Sequence, residues 1–135
     1  MKKYSPIGEL SDFAAQMCES LRDATELIPA VCDRESVISA AGAVRRELID
    51  KPLSSQLCGI MDSRSPYCLK SGGELLPVLS GTDKYSLCTA VPIVSQGDIL
   101  GSVLFASACG PKPGTETDRK LAGTAAAFLG KQIEG

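Results

Sequence analysis

Cysteine is the residue type in this sequence best suited to covalent or redox chemistry. The 135 residues include six cysteines and no histidine: Cys18, Cys32, Cys58, Cys68, Cys88 and Cys109. Zinc and iron–sulfur sites usually draw ligands from closely spaced pairs, and none of these cysteines forms such a pair. Without an imidazole the chain also has no Ser-His-Asp triad and no Cys-His pair. The sequence therefore predicts no catalytic residue, no metal site and no cofactor.

The cysteines divide into two groups by their surroundings. Three lie in apolar patterns, where a thiol packs as a small hydrophobe: Cys18, Cys32 and Cys88. Cys58 and Cys68 flank a turn-rich stretch and are the better candidates for a reactive or ligand-facing pair. A reactive thiol needs nearby positive charge or a helix start, and Arg64 and Lys70 lie near Cys68 in sequence. That support is weak, so packing is the favoured role.

Composition and charge narrow the class of protein further. Hydrophobic residues make up 44% and charged residues 22%, with a net charge of −2, as in a globular domain. A mildly acidic chain gives no electrostatic reason for direct binding to nucleic acid, which depends on phosphate neutralisation. No apolar run is long enough for a spanning helix, and none follows the two lysines at positions 2 and 3. We predict a cytoplasmic protein without a membrane partner.

Regular patterns predict the elements that position these residues. Apolar residues recur in an a/d pattern from Ile7 to Ile28, which predicts a long first helix, and Thr115 with Asp118 forms a capping-box pattern before the last one. The full prediction is one domain over 1–135, with a helix over 6–28, a hairpin over 30–41, short helices and loops over 43–84, a hairpin over 86–107 and a helix over 115–134. Consecutive hairpins predict an α+β fold, an antiparallel sheet with both terminal helices on one face.

A family resemblance emerges from several short segments in order along nearly the whole chain. They are Ser5-Pro6-Ile7-Gly8, Val31-Cys32-Asp33-Arg34, Met61-Asp62-Ser63-Arg64-Ser65, Pro92-Ile93-Val94 with Gly97-Asp98 and Gly101, and Ala125-Ala126 with Phe128-Leu129 and Gln132. This succession resembles the C-terminal domain of the stage V sporulation protein T family of AbrB-type transcriptional regulators. The resemblance implies a GAF domain, with a pocket formed by loops and short helices on the face opposite the terminal helices.

The resemblance also implies a function in the regulation of transcription during sporulation. In that family the domain follows an AbrB-type swapped-hairpin DNA-binding domain, which is not found before Ser5 in this sequence. We therefore expect contact with DNA only through a separate domain. The expected function is that of a regulatory domain that senses a small molecule and forms oligomers.

Two sets of residues are the candidates for these roles. The ligand-binding candidates are polar groups expected to face an apolar enclosure: Arg64, Ser39, Tyr67, Cys68, Ser80 and Thr89. Arg64 is the first choice, because a guanidinium pairs with a carboxylate or phosphate and so predicts a small anionic effector. The interface candidates lie on the terminal helices and predict a homodimer or homotetramer: Ile7, Leu10, Ala14, Met17, Leu21, Ala125, Phe128 and Leu129.

Two other functions are compatible with a GAF-like fold. One is a thiol-based redox enzyme or sensor of the methionine sulfoxide reductase type, which would use Cys58, Cys68 and Cys88. The sequence supplies no general base of the usual kind to activate these thiols. The other is cyclic nucleotide binding, for which no distinctive phosphate cradle is visible. Effector sensing without catalysis is therefore the preferred interpretation.

Overall fold

A five-stranded antiparallel sheet in the order β2-β1-β5-β4-β3 organises the protein. The structure is a computed structural model that describes residues 10–42, 44–108, 110 and 112–134. Its elements are α1 (Ser11–Arg22), β1 (Ile28–Cys32), β2 (Val37–Ala40), α2 (Arg45–Leu48), α3 (Ser55–Ser63), β3 (Tyr67–Cys68), β4 (Ser86–Ser95), β5 (Asp98–Ser107) and α4 (Glu116–Glu134). The predicted α+β class is confirmed.

The two faces of the sheet carry separate hydrophobic cores. Successive strand residues point to opposite faces, so Val103 and Phe105 of β5 pack towards α1 and α4, whereas Leu104 packs towards α2 and α3. We call these sides the helix face and the pocket face. The helix face buries Ala14, Cys18, Ala122, Ala126 and Leu129 of the two terminal helices. Both long helices therefore lie on one side of the sheet, as predicted.

The first helix is shorter at its end than its apolar pattern suggests. Residues 6–9 of the predicted helix lie outside the described residues, and α1 ends at Arg22. The predicted continuation to Ile28 is wrong, because Ile28 begins β1 and pairs with Ala106 of β5. A turn separates helix from strand, with the Leu27 amide donating to Thr25 Oγ1 at 3.2 Å. Pairing with the sheet thus overrides the helical pattern at this point.

The hairpin predicted over 86–107 is present as β4 and β5, the two longest strands. The edge strand β3 was not predicted, because it holds only two residues inside the turn-rich stretch. The apolar segment 75–79, which is strand-like in sequence, contributes only isolated bridges, from Pro77 to Ser86 and from Leu79 to Leu53. The pocket face is therefore covered mainly by turns and two short helices.

Two glycines allow main chains to pack unusually closely. A Cβ atom at Gly101 of β5 would collide with the carbonyl oxygen of Cys32, so only glycine allows β1 and β5 to approach this closely here. Gly130 of α4 lies against the carbonyl oxygen of Val94 in β4, where a Cβ would sit at 2.5 Å. The small residue in α4 thus allows the helix to pack closely on the sheet.

Candidate functional site

The pocket face carries a packed apolar core that α2 and α3 help to cover. Its largest side chains are fully buried: Leu48, Leu57, Met61, Tyr85, Leu87 and Leu104. Ser54 holds the cover in place, because its hydroxyl accepts from the Leu57 amide at 3.1 Å and donates to the Pro77 carbonyl at 2.6 Å. The start of α3 is therefore tied directly to the irregular segment above the sheet.

Tyr85 buries its hydroxyl in the pocket-face core, beside the exposed ion pair of Glu47 and Lys84. Its side chain is 2% exposed, and its hydroxyl forms no well-aligned hydrogen bond within the described residues, although the Glu47 carboxylate and the Lys84 ammonium lie close to it. Lys84 lies over its ring at 5.6 Å from the centroid and pairs with Glu47 of α2. Burial and then the nearby Glu47 carboxylate raise the pKa of Tyr85. A buried hydroxyl without a partner is rare in proteins and costs stability.

Two of the predicted ligand-binding residues lie on the helix face because of β-bulges. Val31 pairs with Ser39 and Cys32 with Val37, so one extra residue in β2 turns Ser39 away from the face of Val37. The Ser39 hydroxyl donates to the Ser11 carbonyl of α1 at 3.0 Å. A second irregularity, between positions 87 and 89, places Thr89 opposite Phe105 on the helix face. Neither side chain therefore lies on the pocket face.

The other four predicted ligand-binding residues occupy separate places. Arg64 ends α3 in the left-handed conformation, with φ of 61°, and its side chain is exposed. Tyr67 packs against the pocket-face core, and Ser80 lines a surface cavity of about 320 Å³ beside the start of α3. The Cys68 thiol donates to the Gly114 carbonyl at 3.2 Å. The six residues therefore do not line one pocket.

An apolar groove runs along the outer side of α1 and α4. A cavity of about 360 Å³ there is lined by Met17, Leu21, Thr117, Lys120, Leu121, Thr124, Ala125 and Phe128. Phe128 is 46% exposed, although its ring meets that of Phe13 edge-on at 5.3 Å. We call this surface the α1/α4 groove. Four of the predicted interface residues, Met17, Leu21, Ala125 and Phe128, line it together.

The remaining interface candidates lie elsewhere. Ala14 and Leu129 are fully buried against the sheet and present no surface to a partner. Leu10 is partly buried against the helix-face core, and Ile7 lies outside the described residues. The heptad pattern thus mixes residues that pack on the sheet with residues that face outwards.

Three of the five cysteines that the structure describes are buried. Cys18, Cys32 and Cys88 are fully buried, in agreement with their predicted packing role, and burial raises the pKa of Cys18 to about 12. Burial also raises the pKa of Cys32 and Cys88. The pKa of Cys58 is raised by burial and then by the nearby Asp62 carboxylate. Within the described ranges, no group of three Cys, Asp or Glu side chains is placed to hold a metal ion.

Membrane insertion finds no support in the helices. None of the helices in the described part of the chain combines the length and the apolar character that spanning a bilayer requires.

Sequence reasoning missed Tyr85 and Gly114. Tyr85 stands immediately before the strongest apolar strand, where an amphipathic aromatic is expected to bury its ring, and that position was the available signal. Gly114 is held against β4, where a Cβ would lie 2.7 Å from the Cys88 carbonyl oxygen and 2.8 Å from Cys68 Sγ. The sequence shows only a Pro/Gly-rich loop there, because the partner strand is distant along the chain.

Comparisons with known proteins agree with this architecture. The GAF domain of an Acinetobacter phosphoenolpyruvate-protein phosphotransferase superposes with a TM-score of 0.68 at 13% identity, over 98% of this chain and 84% of that one. The GAF domain of the nutrient sensor CodY from Clostridium difficile gives 0.58 at 16% identity, over 88% and 83%. A type II free methionine-R-sulfoxide reductase from Thermoplasma acidophilum gives 0.61 at 15% identity, over 93% and 95%. These similarities show the GAF fold.

Sequence comparison is more specific. Residues 9–134 match the family model described as stage V sporulation protein T C-terminal, transcription factor. The stage V sporulation protein T of Bacillus subtilis (strain 168) is 36% identical over 137 residues, covering 99% of this chain and 74% of that protein. The chain therefore belongs to the stage V sporulation protein T C-terminal family of transcription factors, as its sequence motifs predicted.

Proposed function

We propose that this domain senses a small molecule on its pocket face and assembles through its α1/α4 groove, so that effector binding adjusts a transcription regulator. The Tyr85 hydroxyl, which is buried beside the Glu47–Lys84 ion pair without a well-aligned hydrogen bond, is the observation that carries the sensing function. A hydroxyl that is buried without a good hydrogen bond can form one to a polar ligand, and this hydrogen bond offsets the free energy lost when the hydroxyl was buried. The CodY relative in fold is described as a nutrient sensor with a cofactor-binding GAF domain, which is consistent with this use of the fold.

The proposed entrance lies between α2 and the start of β4. The exposed ion pair of Glu47 and Lys84 covers Tyr85 from the solvent side. Exposed ion pairs contribute little to stability, so separating Glu47 from Lys84 requires little free energy. A ligand with an anionic group would take the place of Glu47 beside Lys84 and bring a hydrogen-bonding group to Tyr85. Arg64, which ends α3, remains a candidate for a further contact.

Native mass spectrometry of the purified protein tests the sensing function. We expect a fraction of the wild-type chain to carry a bound small molecule, and we expect Tyr85→Phe to lose at least about tenfold in affinity, the usual size of one buried polar contact. Tyr67→Phe is the matched control for a less buried tyrosine on the same face. Equal binding by wild type and Tyr85→Phe would remove Tyr85 from the effector site.

A second copy of this chain is the proposed occupant of the α1/α4 groove. The exposed charges of α1 are Asp12, Glu19 and Arg22, of which Glu19 pairs with Arg22. Those of α4 include the basic Arg119, Lys120 and Lys131 together with Glu116, which pairs with Lys120. Antiparallel contact between two copies would set unlike charges opposite each other around the apolar strip. A dimer or tetramer built in this way buries Phe128, the most exposed large hydrophobic side chain among the described residues.

Sedimentation velocity over a range of concentrations tests the assembly. Leu21→Glu places a charge in the groove, and we expect it to weaken self-association by at least about thirtyfold, as for a hot-spot residue. Val94→Glu is the matched control, because Val94 is 45% exposed but lies outside the groove. Equal effects of the two substitutions would contradict assembly through this surface.

The domain is proposed to be non-enzymatic and to act in the cytoplasm. Its relative in the family is a transcription regulator, and contact with DNA would come through a separate domain. The redox alternative is less well supported, because Cys88 is fully buried and the pKa of both Cys58 and Cys88 is raised. A methionine sulfoxide reductase assay with the purified chain tests this choice. We expect no turnover, and thiol-dependent reduction of free methionine sulfoxide would overturn it.

A further inference from the structure

The edge strand β3 connects the two faces of the sheet. Its two residues point in opposite directions: Tyr67 packs with the pocket-face core, and Cys68 pairs with Thr89 on the helix face. Only these two residues pair with β4, whereas nine pairs join β4 to β5. Strand β3 is thus the part of the sheet that can shift without breaking the core.

Gly114 holds β3 to the loop that leads into α4. The Cys68 thiol donates to the Gly114 carbonyl at 3.2 Å, and the Gly114 amide donates to the Leu69 carbonyl at 3.0 Å. The Leu69 amide in turn donates to the Cys88 carbonyl of β4 at 2.8 Å. Because Gly114 both accepts a hydrogen bond from Cys68 and donates one to Leu69, a shift of β3 is expected to displace Gly114.

Glycine is needed at position 114 because a side chain would collide with neighbouring atoms, and not because the backbone adopts an unusual φ angle. Gly114 is not among the glycines with positive φ, and a Cβ there would meet the Thr89 hydroxyl, the Cys88 carbonyl and the Cys68 thiol. The loop therefore lies in direct contact with the β3–β4 ladder. We call Cys68, Thr89 and Gly114 the β3–α4 junction.

The junction is connected to both terminal helices through Asp118, which lies four residues after Gly114. Thr115 and Asp118 form a reciprocal capping box, with the Thr115 amide donating to Asp118 at 3.1 Å and the Asp118 amide donating to Thr115 at 3.0 Å. Asp118 is 7% exposed and also accepts from the Thr25 hydroxyl at 3.1 Å, which anchors the turn after α1. The start of α4 and the end of α1 are thereby joined at one buried carboxylate.

We propose that the β3–α4 junction transmits movements of β3 on the pocket face to the start of α4 and the end of α1. The proposal deepens the proposed function, since it supplies the route from effector binding to the α1/α4 groove. It requires two arrangements of β3, docked and displaced, that the two faces stabilise to different extents.

Amide hydrogen exchange of the full chain tests the transmission without an effector or a second copy. Tyr67→Ala removes the contact of β3 with the pocket face and leaves the junction residues unchanged. We expect the amide of Arg119, which donates to Thr115 at 3.0 Å in the first turn of α4, to exchange at least about tenfold faster. Ile60→Ala is the matched control, since it trims the same core from α3.

Two glycine substitutions probe the junction itself. Gly114→Ala is expected to accelerate exchange at Leu69 and in the first turn of α4 together, whereas Gly123→Ala, whose Cβ meets nothing within 4 Å, leaves both unchanged or slower. If Gly114→Ala does not fold, Cys68→Ala removes the thiol without adding atoms, and about three- to tenfold faster exchange is expected.

The proposal is overturned if Tyr67→Ala or Gly114→Ala leaves the first turn of α4 as protected as in the wild type, or if Ile60→Ala has the same effect there as Tyr67→Ala. These outcomes are independent of the proposed function. A chain that exchanges as expected but never binds an effector or self-associates would retain the junction and lose the sensing function.

Discussion

Removal of the Tyr85 hydroxyl is expected to stabilise the fold, which is unusual for a change in a buried core. The hydroxyl is inaccessible to solvent and forms no well-aligned hydrogen bond in the described part of the chain, although the Glu47 carboxylate lies close to it. Leaving such a group unpaired costs about 1–3 kcal/mol, whereas the ring of phenylalanine preserves the packing against the pocket-face core. The lost contact with Glu47 offsets part of this gain. We therefore expect Tyr85→Phe to raise the free energy of unfolding by about 1 kcal/mol and Tm by about 4 °C.

Urea unfolding followed by circular dichroism measures this change. The midpoint is expected to rise while the m-value stays constant, because the surface exposed on unfolding does not change. Tyr67→Phe should alter stability by less than about 0.5 kcal/mol, as is usual for a group that is not fully buried. Destabilisation by Tyr85→Phe would show that the hydroxyl is well hydrogen-bonded in the folded protein and would contradict a role for Tyr85 in effector binding.

Two further predictions concern buried thiols and backbone packing. Cys18 should resist a thiol reagent at pH 8 in the folded protein, because a pKa of about 12 leaves roughly one thiol in ten thousand ionised; rapid labelling of Cys18 identified by mass spectrometry would contradict its buried position. Gly101→Ala should destabilise the fold by about 2 kcal/mol or more, since the added carbon meets the Cys32 carbonyl; thermal unfolding checks this, and an unchanged Tm would contradict the close approach of β1 and β5.

The elements that the sequence predicts well are those whose pattern is continuous. The residues of β4 and β5 are apolar almost throughout, and such runs are typical of strands covered on both faces. Thr115 and Asp118 form the predicted capping box because both partners lie within one helical turn. Local signals of this kind need no knowledge of the rest of the fold.

Where distant parts of the chain decide the outcome, prediction from sequence fails. The a/d pattern continues through Ala24 to Ile28, but pairing of Ile28 with β5 ends the helix earlier. Ser39 and Thr89 reverse their faces because each follows a β-bulge, which no periodicity reveals. Gly114 contacts β3 as well as β4, and the sequence does not show β3 as a strand. The predicted ligand-binding residues therefore lie at separate places in the structure, whereas half of the predicted interface residues line one groove.

Assembly through the α1/α4 groove, which leaves the pocket face available for an effector, is best tested by the molar mass of the wild-type chain in solution, measured by light scattering across a dilution series. We expect at least twice the 14.1 kDa of one chain at the higher concentrations, and a return to one chain when Phe128 is replaced by Glu. A mass of 14.1 kDa at every concentration would contradict it.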